Sequence, residues 1–263
     1  MSDVDDPALI RRWFPICSRE DLQPRHIVET ELFGRELAVW RSIDGGVNVW
    51  ANRCPHRGMR LTVGVNLGQE LRCAYHGYRF ADGSGSCTAV PAQPEKAAPR
   101  SLRVRAYPVL QAGSLIWTRL LDDIPATAPL PADADDSVVL YGVAIKAPPG
   151  DVAAAIAHYR FRPSGALRDR EMDDEICSTS SVDAYSFQSV ARKHAMTTEV
   201  RLFIQPIDAE CTGVHAILLG DLRAELRIPT LRHHAQQLTR LRDACERIFR
   251  MPAPPPAHAD SPS

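Results

Sequence analysis

The stretch that most limits what this chain can fold into is Cys54-Pro55-His56-Arg57-Gly58, answered by Cys73-Ala74-Tyr75-His76-Gly77. Each half brings one thiol and one imidazole and ends in glycine, and sixteen residues separate His56 from Cys73. Glycine next to such side chains permits the sharp bends of a tight loop. The pattern therefore calls for two hairpin loops at one end of a small β domain, facing each other across a shared object.

The donor set says what that object is. Two thiolates and two imidazoles, one of each per loop, suit a [2Fe-2S] cluster in which one iron takes Cys54 and Cys73 and the other takes His56 and His76. Replacing two thiolates with neutral imidazoles reduces the negative charge near the metal and lifts the reduction potential into a range of roughly -150 to +300 mV. Imidazoles also titrate, so they can couple an electron to a proton at an exposed edge. Zinc is the rival metal. A zinc finger usually takes paired thiolates from one short loop and histidines from a helix, whereas here each loop supplies one of each.

The surrounding text supports a β scaffold. Leu32-Phe33 and Leu37-Ala38-Val39-Trp40 flank Gly34-Arg35, and Val47-Asn48-Val49-Trp50 follows Asp44-Gly45-Gly46. Short apolar runs broken by glycine turns are the pattern of a small antiparallel domain. Ser18 to Leu22 reads as a capped turn, Leu61-Thr62-Val63-Gly64-Val65 as a strand between the loops, and strands near Arg103 to Tyr107 and Leu115 to Thr118 close the domain. The text from Leu120 to Ser137, rich in Pro, Ala and Asp, reads as a linker.

Beyond it, a strand over 138–145 leads to a helix capped by Asp151, a charged loop spans 160–174, and paired strands over 198–204 and 213–219 flank a turn at 208–210. After Pro229-Thr230 comes the clearest helix. Leu231, His234, Leu238, Leu241, Cys245, Ile248 and Phe249 recur at spacings of three and four, with arginines on the other side. The end from 252 to 263 is proline-rich and expected to be disordered.

With 31 basic and 32 acidic residues the formal charge is -1, which gives no pull towards nucleic acid or anionic lipid. The acidic start is unlike a signal peptide and no apolar run is long enough to span a membrane, so a cytoplasmic location is expected. The five cysteines outside the loops, Cys17, Cys87, Cys177, Cys211 and Cys245, lack paired spacing and read as reduced thiols.

Residues 13 to about 118 resemble the N-terminal Rieske domain of the Rieske-type non-haem iron oxygenases, through CPHRG, CAYHG, Gly77-Tyr78-Arg79-Phe80 and the turn Asp82-Gly83-Ser84-Gly85. Arg57 and Tyr75 stand where the cytochrome bc-type Rieske proteins carry a disulfide, which places the likeness in the oxygenase branch. Gln205-Pro206-Ile207-Asp208 leading to Thr212-Gly213-Val214-His215, with the final helix, is similar to the family's helix-grip catalytic domain. The resemblance implies an α+β chain: an antiparallel β-sandwich Rieske domain over 1–119, a linker over 120–137, and a shortened helix-grip-like domain over 138–251 with a curved antiparallel sheet and a C-terminal helix.

The family's mononuclear iron motif places two histidines after an Asp on a helix. Asp151 to Phe161 holds only His158. His194 stands alone, His215 falls in a strand, and His233 with His234 are neighbours whose side chains diverge on a helix, so each reads as structural. Three functions follow as expectations. The first is an electron-transfer component served by a reductase or ferredoxin and feeding a mononuclear iron on a partner chain, the expected assembly being with an oxygenase partner subunit or as a homo-oligomer. The second is a self-contained oxygenase with rearranged ligands among His158, His194, His215 and nearby carboxylates. The third is a redox-sensing or ligand-binding subunit.

Overall fold

The computed structural model describes residues 6–123, 137–158, 176–193, 196–219 and 224–250. In chain order the elements are α1 (Pro7–Arg11), β1 (Phe14–Ser18), β2 (Ile27–Leu32), β3 (Arg35–Arg41), β4 (Val47–Ala51), β5 (Val65–Asn66), β6 (Glu70–Arg72), β7 (Arg79–Ala81), β8 (Cys87–Ala89), β9 (Ala106–Tyr107), β10 (Val109–Ala112) and β11 (Leu115–Thr118). They continue with β12 (Val138–Ile145), α2 (Pro149–His158), β13 (Ile176–Asp183), β14 (Ser186–Lys193), β15 (Met196–Pro206), β16 (Thr212–Leu219) and α3 (Ala224–Arg250). The chain is thus α+β, with antiparallel sheets and a long final helix.

The N-terminal strands form three small sheets, ordered β1-β11-β10, β2-β3-β4-β9 and β5-β6-β7-β8. The β2–β3 turn places both Phe33 (φ 51°) and Gly34 (φ 70°) in the left-handed region, the geometry that suits a two-residue hairpin to strand twist. A bulky residue at positive φ is strained, and here it is held in place. The N–H groups of Phe33 and Gly34 donate to the Pro206 and Ile207 carbonyls at 2.7 Å each, and the Phe33 ring packs edge-on against Phe14. Ser18 and Asp21 form the expected capped turn, each side chain accepting from the other's backbone N–H.

The C-terminal strands make one five-stranded antiparallel sheet, β12-β16-β15-β14-β13. Alternation sorts its faces. Val200, Leu202 and Ile204 of β15 and Val214, Ala216 and Leu218 of β16 share a core with α2 and α3. On the other face Phe203 and Ile217 pack with Trp13, Leu115 and Trp117 of the N-terminal strands. The Trp117 and Phe203 rings meet edge to face at 5.0 Å, and Arg12 pairs with Asp183 at 2.6 Å. One apolar seam therefore joins the two halves.

Several local expectations are corrected. Leu61 to Gly64 is a turn, closed by Gly64 N–H to the Leu61 carbonyl at 2.9 Å, and the strand begins only at Val65. Leu61 was a poor strand signal because it is fully buried under the loops. Helix α2 starts at Pro149, so Asp151 lies inside its first turn, where a carboxylate still suits the helix dipole. Helix α3 starts at Ala224 and carries Pro229 within it; so early in a helix a proline sacrifices a single backbone bond. Of its predicted apolar face, His234, Leu238, Leu241 and Cys245 are buried, but Ile248 and Phe249 are exposed.

The expected charged loop at 160–174, most of the linker, and the tail lie outside the described residues. Cys17, Cys87, Cys211 and Cys245 are free thiols, while the Cys177 side chain is not among those described. Among the described residues no helix is long and apolar enough to cross a membrane.

Candidate metal centre

The first loop leaves the end of β4, and the second joins β6 to β7. The two loops share one backbone pattern. Cys54 N–H donates to the Met59 carbonyl and Gly58 N–H to the Cys54 carbonyl, both at 2.8 Å. Cys73 N–H donates to the Tyr78 carbonyl at 2.8 Å and Gly77 N–H to the Cys73 carbonyl at 3.1 Å. Gly58 and Gly77 close their loops at φ 75° and 71°, a conformation that strains an L side chain. Two copies of one turn thus present the four predicted donors.

Their burial is split by donor type. Cys54 is 3% and Cys73 2% exposed, packed with Trp40, Trp50, Leu61, Leu71 and Phe80 beneath the loops. His56 is half-buried and His76 exposed. The imidazoles present Nδ1 to Nδ1 at 3.2 Å. Two nitrogens bound to one tetrahedral metal at about 2.1 Å would lie about 3.4 Å apart, so this spacing fits shared ligation. Tyr78 stacks on His56 at 4.3 Å between ring centroids, and exposed Tyr75 lies against His76 at 3.8 Å.

The electrostatics point the same way. Burial pushes the Cys54 thiol up to about 11, and the hydrogen-bonded Cys73 thiol adds to the rise, while backbone N–H groups of His56 and Arg57 oppose it. A buried thiol so reluctant to ionise becomes a thiolate when a cation compensates it. His56 is driven below the ordinary histidine range by burial and by the positive neighbours His76 and Arg57. Neutral imidazole is the form that binds metal. The donors form a thiol pair inside and an imidazole pair outside, which matches two irons with different ligands.

Among the described residues the other histidines are not brought together into a second centre. His158 is exposed at the end of α2, its Nδ1 donating to the Ala154 carbonyl at 2.8 Å, and Asp151 is exposed at the other end. His215 lies on the sheet face turned to the N-terminal half, with Nε2 2.7 Å from Gln205 Oε1. His233 and His234 are buried on α3 with ring centroids 5.4 Å apart, and His233 Nε2 meets the Gln237 amide at 2.7 Å. His194 lies outside the described residues. Among the described residues no three His, Cys, Asp or Glu side chains are placed to hold one metal ion.

Sequence reasoning missed the ring contacts of Tyr75 and Tyr78. Their positions beside His76 and Gly77 were the available signal, since an aromatic residue flanking a ligand loop has only the loop itself to cover.

The family model for the Rieske [2Fe-2S] domain matches residues 12–108. The oxidoreductase NdmD of Pseudomonas putida is 50% identical over 111 residues, 42% of this chain and 19% of that protein. The 3-chlorobenzoate-3,4-dioxygenase oxygenase subunit of Comamonas testosteroni is 29% identical over 174 residues, 62% of this chain and 40% of its own length. These matches thus span well under half of either relative. Among solved structures, NdmB of Pseudomonas putida CBB5 superposes with a TM-score of 0.70 at 18% identity, covering 92% of this chain and 83% of that one. At that identity the likeness establishes the fold.

Proposed function

We propose, from the premise that residues 12–108 form a Rieske [2Fe-2S] domain, that this chain is an electron-transfer component of a Rieske-type oxygenase system. Cys54, Cys73, His56 and His76 hold the cluster. When bound, the cluster accepts and releases one electron at a time. The observation that carries this reading is the split of the donors: the cysteines are buried and the histidine pair faces outwards.

The chain's own residues perform distinct tasks. Cys54 and Cys73 anchor the group in an apolar core that excludes water. His56 and His76 form its solvent-facing edge. Tyr78, stacked on His56, and Tyr75, against His76, limit how these rings turn. The electron would come from a reductase or ferredoxin and go to a mononuclear iron held by a partner subunit, where it would serve hydroxylation or demethylation of a small organic substrate.

A self-contained oxygenase is the second reading, favoured by the fold, which follows that of NdmB over 92% of this chain. Oxygen uptake separates the two. With a chemical reductant and a panel of aromatic and methylated amine substrates, the purified chain is expected to couple no substrate turnover by itself and to support it when partner chains are added. Turnover by the chain alone would decide for the second reading.

A further inference from the structure

A cavity of about 910 Å³ opens between β1 and β2 of the N-terminal half, β12 and β16 of the large sheet, and the early turns of α3. It shares no residue with the paired loops. Ile16, Val28, Val139, Val214 and Leu231 make much of the wall aliphatic. The charged residues on its lining, Glu20, Asp21, Glu29 and Arg232, are exposed to solvent. Glu20 pairs with Arg227 of α3 at 3.6 Å, and Asp21 accepts from the Ser18 N–H at 2.8 Å. The interior therefore offers no buried charge for a ligand to neutralise.

One imidazole, His215, stands in this wall, and its neighbours fix its tautomer. Gln205 reaches across to β2, where its Nε2 lies 2.6 Å from the Glu31 carbonyl and 3.0 Å from Thr30 Oγ1. A carbonyl only accepts, so the amide nitrogen faces it and Oε1 faces His215. Oε1 is 2.7 Å from His215 Nε2. Nε2 therefore carries the hydrogen, and Nδ1 keeps a free lone pair.

Nδ1 has no hydrogen-bond partner among the described residues. The space beside it is left open by a glycine: a Cβ on Gly142 would sit 3.7 Å from Nδ1, and Gly142 itself lines the cavity. Gly213 serves the neighbouring group, since a Cβ there would come within 3.0 Å of Gln205 Oε1. Burial holds the ring neutral, its pKa pushed down to about 4 despite the opposing Asp21 carboxylate. The arrangement is an imidazole acceptor held in one tautomer by a relay of side chains, on a cavity wall that is otherwise largely aliphatic.

We propose that this cavity binds a small, uncharged, mainly apolar organic molecule whose single N–H or O–H group donates to His215 Nδ1. The ligand would touch both halves of the chain at once. Neither the cluster nor a mononuclear iron takes part, so the proposal stands apart from the electron-transfer reading.

Indole and 1-methylindole make a matched pair of probes, because the second lacks the donor. On the cluster-loaded full chain, labelled with ¹⁵N-histidine, the His215 signals should report the Nε2–H tautomer, and indole should shift the Nδ1 resonance in a saturable way. Indole should bind about threefold to tenfold more tightly than 1-methylindole, the worth of one hydrogen bond. His215→Phe should remove that preference, and Gly142→Ala, which keeps the imidazole but sets a methyl in contact with Nδ1, should weaken it, while the visible spectrum of the cluster is retained. Equal affinity for the two probes, undiminished preference in both variants, or no saturable indole binding at millimolar concentration overturns the proposal.

Discussion

His56 and His76 face each other Nδ1 to Nδ1 at 3.2 Å across two loops that repeat one hydrogen-bond pattern. At most one hydrogen bond can form between such nitrogens, so the pairing gains most from a metal placed between them. Replacing either histidine with alanine should abolish the visible absorption of the cluster. His76→Cys should keep a coloured cluster but move its potential down towards the roughly -400 mV of all-cysteine [2Fe-2S] proteins. Spectroelectrochemical titration reads both outcomes, and an unchanged potential in His76→Cys would contradict ligation by His76.

The loop region also sets different tolerances for its glycines. A Cβ on Gly77 would meet Pro91 Cγ at 3.2 Å and adopt φ 71°, a strain of about 1–2 kcal/mol. A Cβ on Gly64 would approach the Arg72 carbonyl oxygen to 2.5 Å and that of Leu61 to 2.9 Å, and backbone cannot step aside as a side chain can. Gly64→Ala should therefore destabilise the chain more than Gly77→Ala. Urea denaturation of both variants checks the order.

Trp117 and Phe203 join the two halves through an edge-to-face contact at 5.0 Å. A double-mutant cycle, Trp117→Ala with Phe203→Leu, should give a coupling of about 0.5–1.5 kcal/mol. Strict additivity would mean that the seam is held elsewhere, for example by the Arg12–Asp183 pair.

His234 is 1% exposed, and neither ring nitrogen has a hydrogen-bond partner among the described residues. Burial, helped by the neighbouring His233, pushes its pKa down to about 4, below the unfolded value of about 6.5. The unfolded chain therefore takes up the proton first as pH falls. The folded state keeps its full stability above about pH 6.5 and loses up to about 3 kcal/mol by about pH 4. His234→Leu should flatten that slope and, by removing an unsatisfied polar ring, raise stability at neutral pH by about 1–3 kcal/mol. Melting curves of both proteins between pH 4 and 8 test this.

The parts legible in the sequence were those where chemistry or periodicity acts locally. The paired loops could be read because a thiol, an imidazole and a bend fall within five residues, and β15 and β16 because alternate residues meet different cores. Strands β13 and β14 escaped notice: Ile176 to Asp183 is largely Ser, Thr and Cys, an edge strand whose pairing comes from β14 and not from its own apolar pattern. The exposure of Ile248 and Phe249 was equally hidden, since helical spacing reports a shared face but not how far the opposing sheet extends. The role of Gln205 and His215 depended on β2, some 175 positions away from Gln205 in sequence, and no local pattern announces such a contact.

The central claim is that this chain's iron belongs to the cluster held by Cys54, His56, Cys73 and His76. Iron and acid-labile sulfide counted on anaerobically purified protein test it most directly. Two irons and two sulfides per chain, unchanged by a mild chelator, are the expected result. A third iron that the chelator removes without bleaching the cluster would contradict the account and make the chain an oxygenase in its own right.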